Sequence, residues 1–326
     1  MPKRSLSATI RPLRPADLAL LASLWARGRP PFGPHYHNEA ETWERLGMEE
    51  PRFRLLESTL KEWLPLGDGR HTWIAARGLR AWALASVRRR CGPSAWEVDY
   101  LVAGRGDEAL CLTLLEHLTQ GLGRAGVEKV FLRLRAESPL LGTVRQAGFF
   151  PYLKEHLLAT HRVAQGLEPA KLPLRERTLA DSLPLFQLYS AAVPATVRRN
   201  EALTLREWVS VQEKGRYQDM MAMGSEGPTA WLRICKSNRA GRFSLLTQRR
   251  QDVHLDYLLA AALNYLADIR PIFCLVPEYQ KGLARHLEEL GFRAVADYVV
   301  LVNRLVRPVE EAVPVAEGVR QAYPAG

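Results

Sequence analysis

Paired cysteines are missing from this sequence. It holds four cysteines in 326 residues, at positions 91, 111, 235 and 274. None forms a CxxC pair, and none stands at zinc-ligand spacing from a histidine. That excludes a disulfide framework and a zinc finger, and leaves reduced, mostly buried thiols. Histidine is scarce as well. His35 and His37, in "PHYHNE", sit in a proline-rich loop, where they read as polar surface rather than metal ligands. No metal is expected. Long apolar runs are absent: none approaches the roughly 18 residues that a membrane span needs. The opening "MPKRSLSATIRPLRP" is basic and carries no apolar stretch, so a cytoplasmic protein without a secretory leader is expected.

What is present is ordinary for a soluble globular protein: 47% hydrophobic and 25% charged residues, over a length that suggests two domains. A net charge of +10 favours anionic partners. It does not choose among nucleic acid, an acidic surface and a phosphorylated cofactor. No basic run is interleaved with aromatics, and no helix-turn-helix or zinc-finger spacing occurs, so nucleic acid ranks last. The short clusters Arg88-Arg89-Arg90 and Arg198-Arg199 read as solvated strand or helix ends.

The chain repeats itself. "IRPLRPADLALLASLW" (10–25) aligns without a gap on "LRERTLADSLPLFQLY" (174–189). Arg11 then matches Arg175, Asp17 matches Asp181, and the apolar positions recur three and four apart. Each aspartate falls in a first helical turn, where a carboxylate suits the positive helix end. Further on, Gly148-Phe149 matches Gly291-Phe292. Each glycine is placed to stop a helix, and each phenylalanine to open a strand pair that ends in an apolar run. The second pair of matches lies closer together than the first, so the first copy carries extra chain, placed within 29–70. Duplication is the reading, with a boundary in the linker-like "VAQGLEPAKLP" (163–173). The halves are then 1–165 and 172–307, followed by a Pro-, Ala- and Glu-rich tail, 308–326.

Pattern places strands near 7–12, 72–77, 80–89, 95–103, 128–135 and 155–163, with helices near 15–28, 40–63, 107–124 and 138–147. The second copy repeats the order. Its strands fall near 172–177, 219–223, 229–236, 242–248, 271–276 and 296–305, and its helices near 180–192, 203–214, 252–267 and 279–290. The fold class is α/β, each half a mixed twisted sheet flanked by helices. In "WEVDYLV" strict alternation sets Glu97, Asp99 and Leu101 on one face and Trp96, Val98 and Tyr100 on the other.

This order resembles the GCN5-related N-acetyltransferase (GNAT) superfamily, over nearly the whole chain and twice over, as in its tandem members. The openings of the two copies look like that family's first strand and helix, and "RHLEELGFRAV" like its last helix and strand. The resemblance implies an acyl-CoA-dependent N-acyltransferase that moves an acetyl group from acetyl-CoA to the amine of a small molecule or peptide. The donor would lie between two splayed central strands. Its pyrophosphate would rest on backbone N–H groups at the start of the following helix, and a fourth-strand N–H would hold the oxyanion. Carried onto this sequence, the donor-binding residues are Val102, Gly104, Arg105, Gly106 and Asp107. Asp99 or Glu97 is the candidate general base if the acidic face looks into the cleft, with Asp99 nearer the turn. If that face looks to solvent, both are ordinary strand carboxylates.

The sequence departs from the family in three places. The turn "AGRGDEA" has lost a glycine and gained Asp107 and Glu108, which repel phosphate but suit a helix start. The matching "LLTQRRQDVHLDY" has no glycine at all. The family's thiolate-protonating tyrosine is replaced by Val144 and Leu287, with Tyr152, Tyr279 and Tyr298 nearby. These departures keep a second reading open, a non-catalytic GNAT-like protein that binds a ligand or partner. The oligomeric state is not legible.

Overall fold

Helix-stopping glycines in both halves show how closely the two copies repeat. In the computed structural model Gly148 and Gly291 follow helices, with φ of 86° and 88°. Phe149 N–H reaches back to Val144 O and Phe292 N–H to Leu287 O. Gly148 and Gly291 N–H close the shorter loops onto Arg145 O and Glu288 O. Both pairs of bonds form the same C-terminal lock, which needs a residue free to adopt positive φ. The structure describes residues 9–14, 16–17, 38–43, 46, 69–77, 80–91, 94–103, 108–162, 174–212, 217–237, 239–248 and 255–305.

The first half comprises β1 (Thr9–Pro12), β2 (His71–Arg77), β3 (Arg80–Cys91), β4 (Ala95–Ala103), α1 (Glu108–Arg124), β5 (Lys129–Arg135), α2 (Leu141–Gln146) and β6 (Phe150–Thr160). The second comprises β7 (Leu174–Glu176), α3 (Ser182–Ala192), α4 (Ala195–Glu201), α5 (Leu205–Val211), β8 (Tyr217–Gly224), β9 (Gly227–Lys236), β10 (Gly241–Thr247), α6 (Leu255–Tyr265), β11 (Ile272–Pro277), α7 (Lys281–Glu289) and β12 (Arg293–Arg304). The mixed α/β architecture is as expected. Three details differ. Each Gly-Phe opens one long strand, β6 or β12, rather than a strand pair. The expected helix 40–63 does not begin at Ala40, which is in a β-bridge. The expected helix 203–214 is shorter, with Thr204 and Glu207 as a capping box, and α4 precedes it. The linker 163–173, the tail 308–326 and most of the extra chain lie outside the described residues.

The strand order is β1-β2-β3-β4-β5-β12-β6-β11-β10-β9-β8-β7, one sheet of twelve. Sequence order would leave β6 beside β5 and β12 beside β11. Instead the last strands are exchanged. β12 pairs antiparallel with β5 from Tyr298↔Arg135 to Arg304↔Lys129, and β6 pairs with β11 from Ile272↔Thr160 to Pro277↔Glu155. β6 and β12 then pair with each other and join the halves. Residues from both halves therefore share each core. Val299 and Leu301 pack with Leu114, Leu118 and Leu132 under α1. Leu158 packs with Leu258, Leu259 and Phe292 under α6.

The repeated Arg and Asp meet in both halves. Arg11 donates through both terminal nitrogens to Asp17, at 2.6 and 2.7 Å. Arg175 does the same to Asp181, at 2.8 and 2.5 Å. Asp17 also accepts Arg14 N–H, and Asp181 accepts Thr178 N–H, each at 2.7 Å. The guanidinium fork of Arg175 holds the Asp181 carboxyl well below the usual carboxylate range. A carboxyl depressed in the folded state contributes stability that is present above its unfolded value, about 3.9, and is lost as pH falls towards the folded one. Asp181→Asn is therefore expected to lower the melting temperature at pH 7. Its melting curve should approach that of the wild type as pH is lowered from about 4. Thermal melts at pH 7 and at acid pH check this, and a constant gap across pH would refute it.

Candidate functional site

Parallel pairing in each half lasts for three residue pairs. β4 runs beside β5 through Ala95↔Lys129, Trp96↔Val130 and Glu97↔Phe131. β10 runs beside β11 through Gly241↔Ile272, Arg242↔Phe273 and Phe243↔Cys274. Beyond these pairs the strands part, leaving two equivalent openings in one sheet.

At the first opening, β4 carries a bulge. Its register with β3 jumps from Val87↔Val98 to Ser86↔Tyr100, so Asp99 has no opposite residue. The bulge overturns the expected alternation: Leu101 joins Trp96 and Val98 in the core under α1, not Glu97. Asp99 is buried, at 1% exposure. Arg70, just before β2, donates to its Oδ2 at 2.5 Å. Glu97 is half-buried and takes a 3.2 Å contact from Arg88. Neither carboxylate is an ordinary solvated strand acid.

Val102 is bridged. Residues 38–41 run between the parted strands, antiparallel to both, through Asn38↔Val102 and Ala40↔Leu134. Glu39 N–H donates to Leu101 O at 2.8 Å, and Glu41 N–H to Arg133 O at 2.9 Å. The Asn38 side chain takes up backbone groups at the bulge. Its Oδ1 accepts Leu101 N–H at 2.8 Å and its Nδ2 donates to Asp99 O at 3.3 Å. Ser138 Oγ donates to the Glu39 carboxylate at 2.6 Å. Ala40, Thr42 and Leu46 are buried. Gly104, Arg105, Gly106 and Asp107 lie outside the described residues, as do His35, His37 and 249–254.

The second opening is built differently. Gln280, at the start of α7, donates its Nε2 to Leu245 O of β10 at 3.0 Å. Its Oε1 is buried and has no hydrogen-bond partner among the described residues. Tyr279 and Leu246 both pack against the core that holds Trp208 and Trp231. No isolated bridge crosses this opening among the described residues.

The other candidate groups are accounted for. Val144 and Leu287, the residues at the two positions where the resemblance implies a tyrosine, are fully buried apolar side chains. Tyr152 donates to Glu201 at 3.0 Å, and burial pushes its phenol well above the ordinary value, with Glu201 adding to the shift. Burial likewise raises Tyr298, whose hydroxyl has no partner among the described residues. Arg90 is not solvated, as its cluster suggested. It lies 4.2 Å over the Phe131 ring and 3.7 Å from Glu201 of the second half. Burial pushes the Cys111 thiol up to about 12, which suits an inert core cysteine. No group of three or more metal-ligating side chains occurs among the described residues. No described helix is long and apolar enough to cross a membrane.

The sequence missed Arg70, Asn38 and Gln280. The first two lie far along the chain from the strand they meet. Gln280 stands in an unremarkable helix start.

No protein-family model matches the chain, and no curated protein does. Solved structures do. A GCN5-related N-acetyltransferase from Sphaerobacter thermophilus is 18% identical, covers 94% of this chain and 98% of its own, and has a TM-score of 0.54. A tandem GNAT protein from the clavulanic acid biosynthesis pathway is 13% identical, with 92% and 99% covered and a TM-score of 0.52. A putative acetyltransferase from Pyrococcus horikoshii is 13% identical, with 94% and 92% covered and a TM-score of 0.50. At such identity the likeness speaks for architecture, and the fold of this chain is that of the GCN5-related N-acetyltransferases, present in two linked copies.

Proposed function

We propose that the chain is an acyl-CoA-dependent N-acyltransferase, moving an acetyl group from acetyl-CoA to the amine of a small molecule or peptide. One observation carries this reading: both halves keep a parallel strand pair that parts after three residues. In this fold the parting is where a thioester arm can lie beside strand backbone. The amine nitrogen would attack the thioester carbonyl there, the C–N bond forming as the C–S bond breaks. The amine proton passes to a base or water, and the thiolate leaves and takes a proton. With Val144 and Leu287 in place of tyrosine, that last proton comes from another group or from water.

A second reading, a GNAT-like protein that binds a ligand or partner without catalysis, is favoured by the occupied first opening. Calorimetric titration with acetyl-CoA separates the two. The acyltransferase reading expects binding at micromolar concentration, and release of free thiol when an amine acceptor is supplied. A folded protein that binds nothing at millimolar acetyl-CoA would leave the second reading standing.

A further inference from the structure

We infer that residues 38–41 seal the first opening from within, and that the second opening alone is left for the acyl donor. The inference rests on the proposed function for the donor's identity, and on geometry for the seal.

The first opening offers backbone groups on both walls, and the chain's own residues use them. Leu101, the fourth-strand residue past the bulge, has its N–H bonded to Asn38 Oδ1 and its C=O bonded to Glu39 N–H. Arg133 O, on the facing strand, is bonded to Glu41 N–H. An extended segment that adds to exposed strand edges this way is held by main-chain bonds along its length. It is also anchored at both ends. Glu39 accepts from Ser138, and Trp43 and Leu46 pack with Leu157, Phe273, Leu275 and Tyr298. A pantetheine arm would have to displace all of these contacts to enter.

The second opening has the opposite character. Among the described residues, one side-chain hydrogen bond, from Gln280 to Leu245 O, spans to β10 where the first half has an extended segment. Its Oε1 is a buried acceptor with no partner among the described residues. A buried acceptor left unmet costs free energy, and a turn of the half-buried Gln280 side chain towards the opening would let an amide N–H of a bound ligand satisfy it. The pantetheine arm carries two such amides.

A reversible lock tests the inference. Ala40 and Leu134 are bridged, which places them within disulfide range. Ala40→Cys with Leu134→Cys, in a background with Cys91 and Cys235 as serine, pins the segment when oxidised and frees it when reduced. Oxidised and reduced protein are expected to bind acetyl-CoA with the same affinity, one molecule per chain. Gln280→Leu is expected to weaken binding about tenfold, the worth of one hydrogen bond. Binding lost on oxidation and restored on reduction would overturn the inference, as would two molecules per chain. Amide exchange on the unmodified protein gives a readout that needs no ligand. The Glu39, Glu41 and Leu101 amides should be protected, and should stay so when acetyl-CoA is added. Fast exchange there overturns the seal even if no acetyl-CoA binds. Protected amides without any binding would sink the proposed function while leaving the seal in place.

Discussion

Residues 1–165 expressed alone are expected not to form a stable domain, and residues 172–307 are expected to fail in the same way. Each fragment lacks the strand that the other supplies. Without β12, the β5 edge from Lys129 to Arg135 loses its antiparallel partner. The α1 core also loses Val299 and Leu301. Val299, Val300, Leu301 and Val302 are all buried. Each is worth about 1.5–3 kcal/mol when fully buried. Four together rival the whole stability of a typical domain, about 5–15 kcal/mol. Without β6, β11 loses its partner from Ile272 to Pro277 and the second core loses Leu158. The exposed strand edges should also drive aggregation. Circular dichroism and dispersed amide spectra of each fragment, and of the two mixed, provide the check. Native-like spectra from either fragment alone would be fatal to the prediction, and recovery on mixing is the expected result.

Arg70→Ala is expected to cost on the order of 3 kcal/mol, because it strips a cation from a carboxylate that is almost wholly buried. Replacing both partners, Arg70→Met with Asp99→Leu, should recover most of that loss, since well-packed apolar groups of similar size often match a buried ion pair. Urea unfolding of the three proteins measures both quantities. If Arg70→Ala is within about 0.5 kcal/mol of the wild type, as ordinary surface changes are, the pair is not holding the bulge. A double variant no better than the single one would mean that the bulge needs charge, not bulk, at Asp99.

The sequence made some parts of this molecule legible because they are local. Arg11 and Asp17 are six residues apart, as are Arg175 and Asp181, and one short motif generates both forks. Gly148-Phe149 and Gly291-Phe292 announce helix stops through a backbone requirement of glycine itself. The bulge was hidden because "WEVDYLV" holds no glycine or proline to mark it, and the alternation of Glu97 and Asp99 continues through it. The strand exchange was hidden for a different reason. "HLLATHRV" and "YVVLVNRLV" are both apolar runs that any buried strand position would accept. Pattern says that each is central, not beside which neighbour. The expected helix 40–63 takes in Ala40 and Glu41, because "NEAE" has helical composition. Their strand character comes from edges far away in the chain, at Leu101 and Arg133.

The position of β12 also sets a timetable. A ribosome delivers the protein from its N-terminus, at about 5–20 residues per second. β5 ends at Arg135, but the strand that must lie against it begins at Arg293. For something on the order of ten seconds, the nascent first half waits with an open apolar edge and a helix over an incomplete core. The completed sheet can close only once nearly the whole chain has emerged. The cell therefore meets this protein first as an unfinished client, and its yield should depend on holdase chaperones and on growth temperature more than the stability of the finished molecule would suggest.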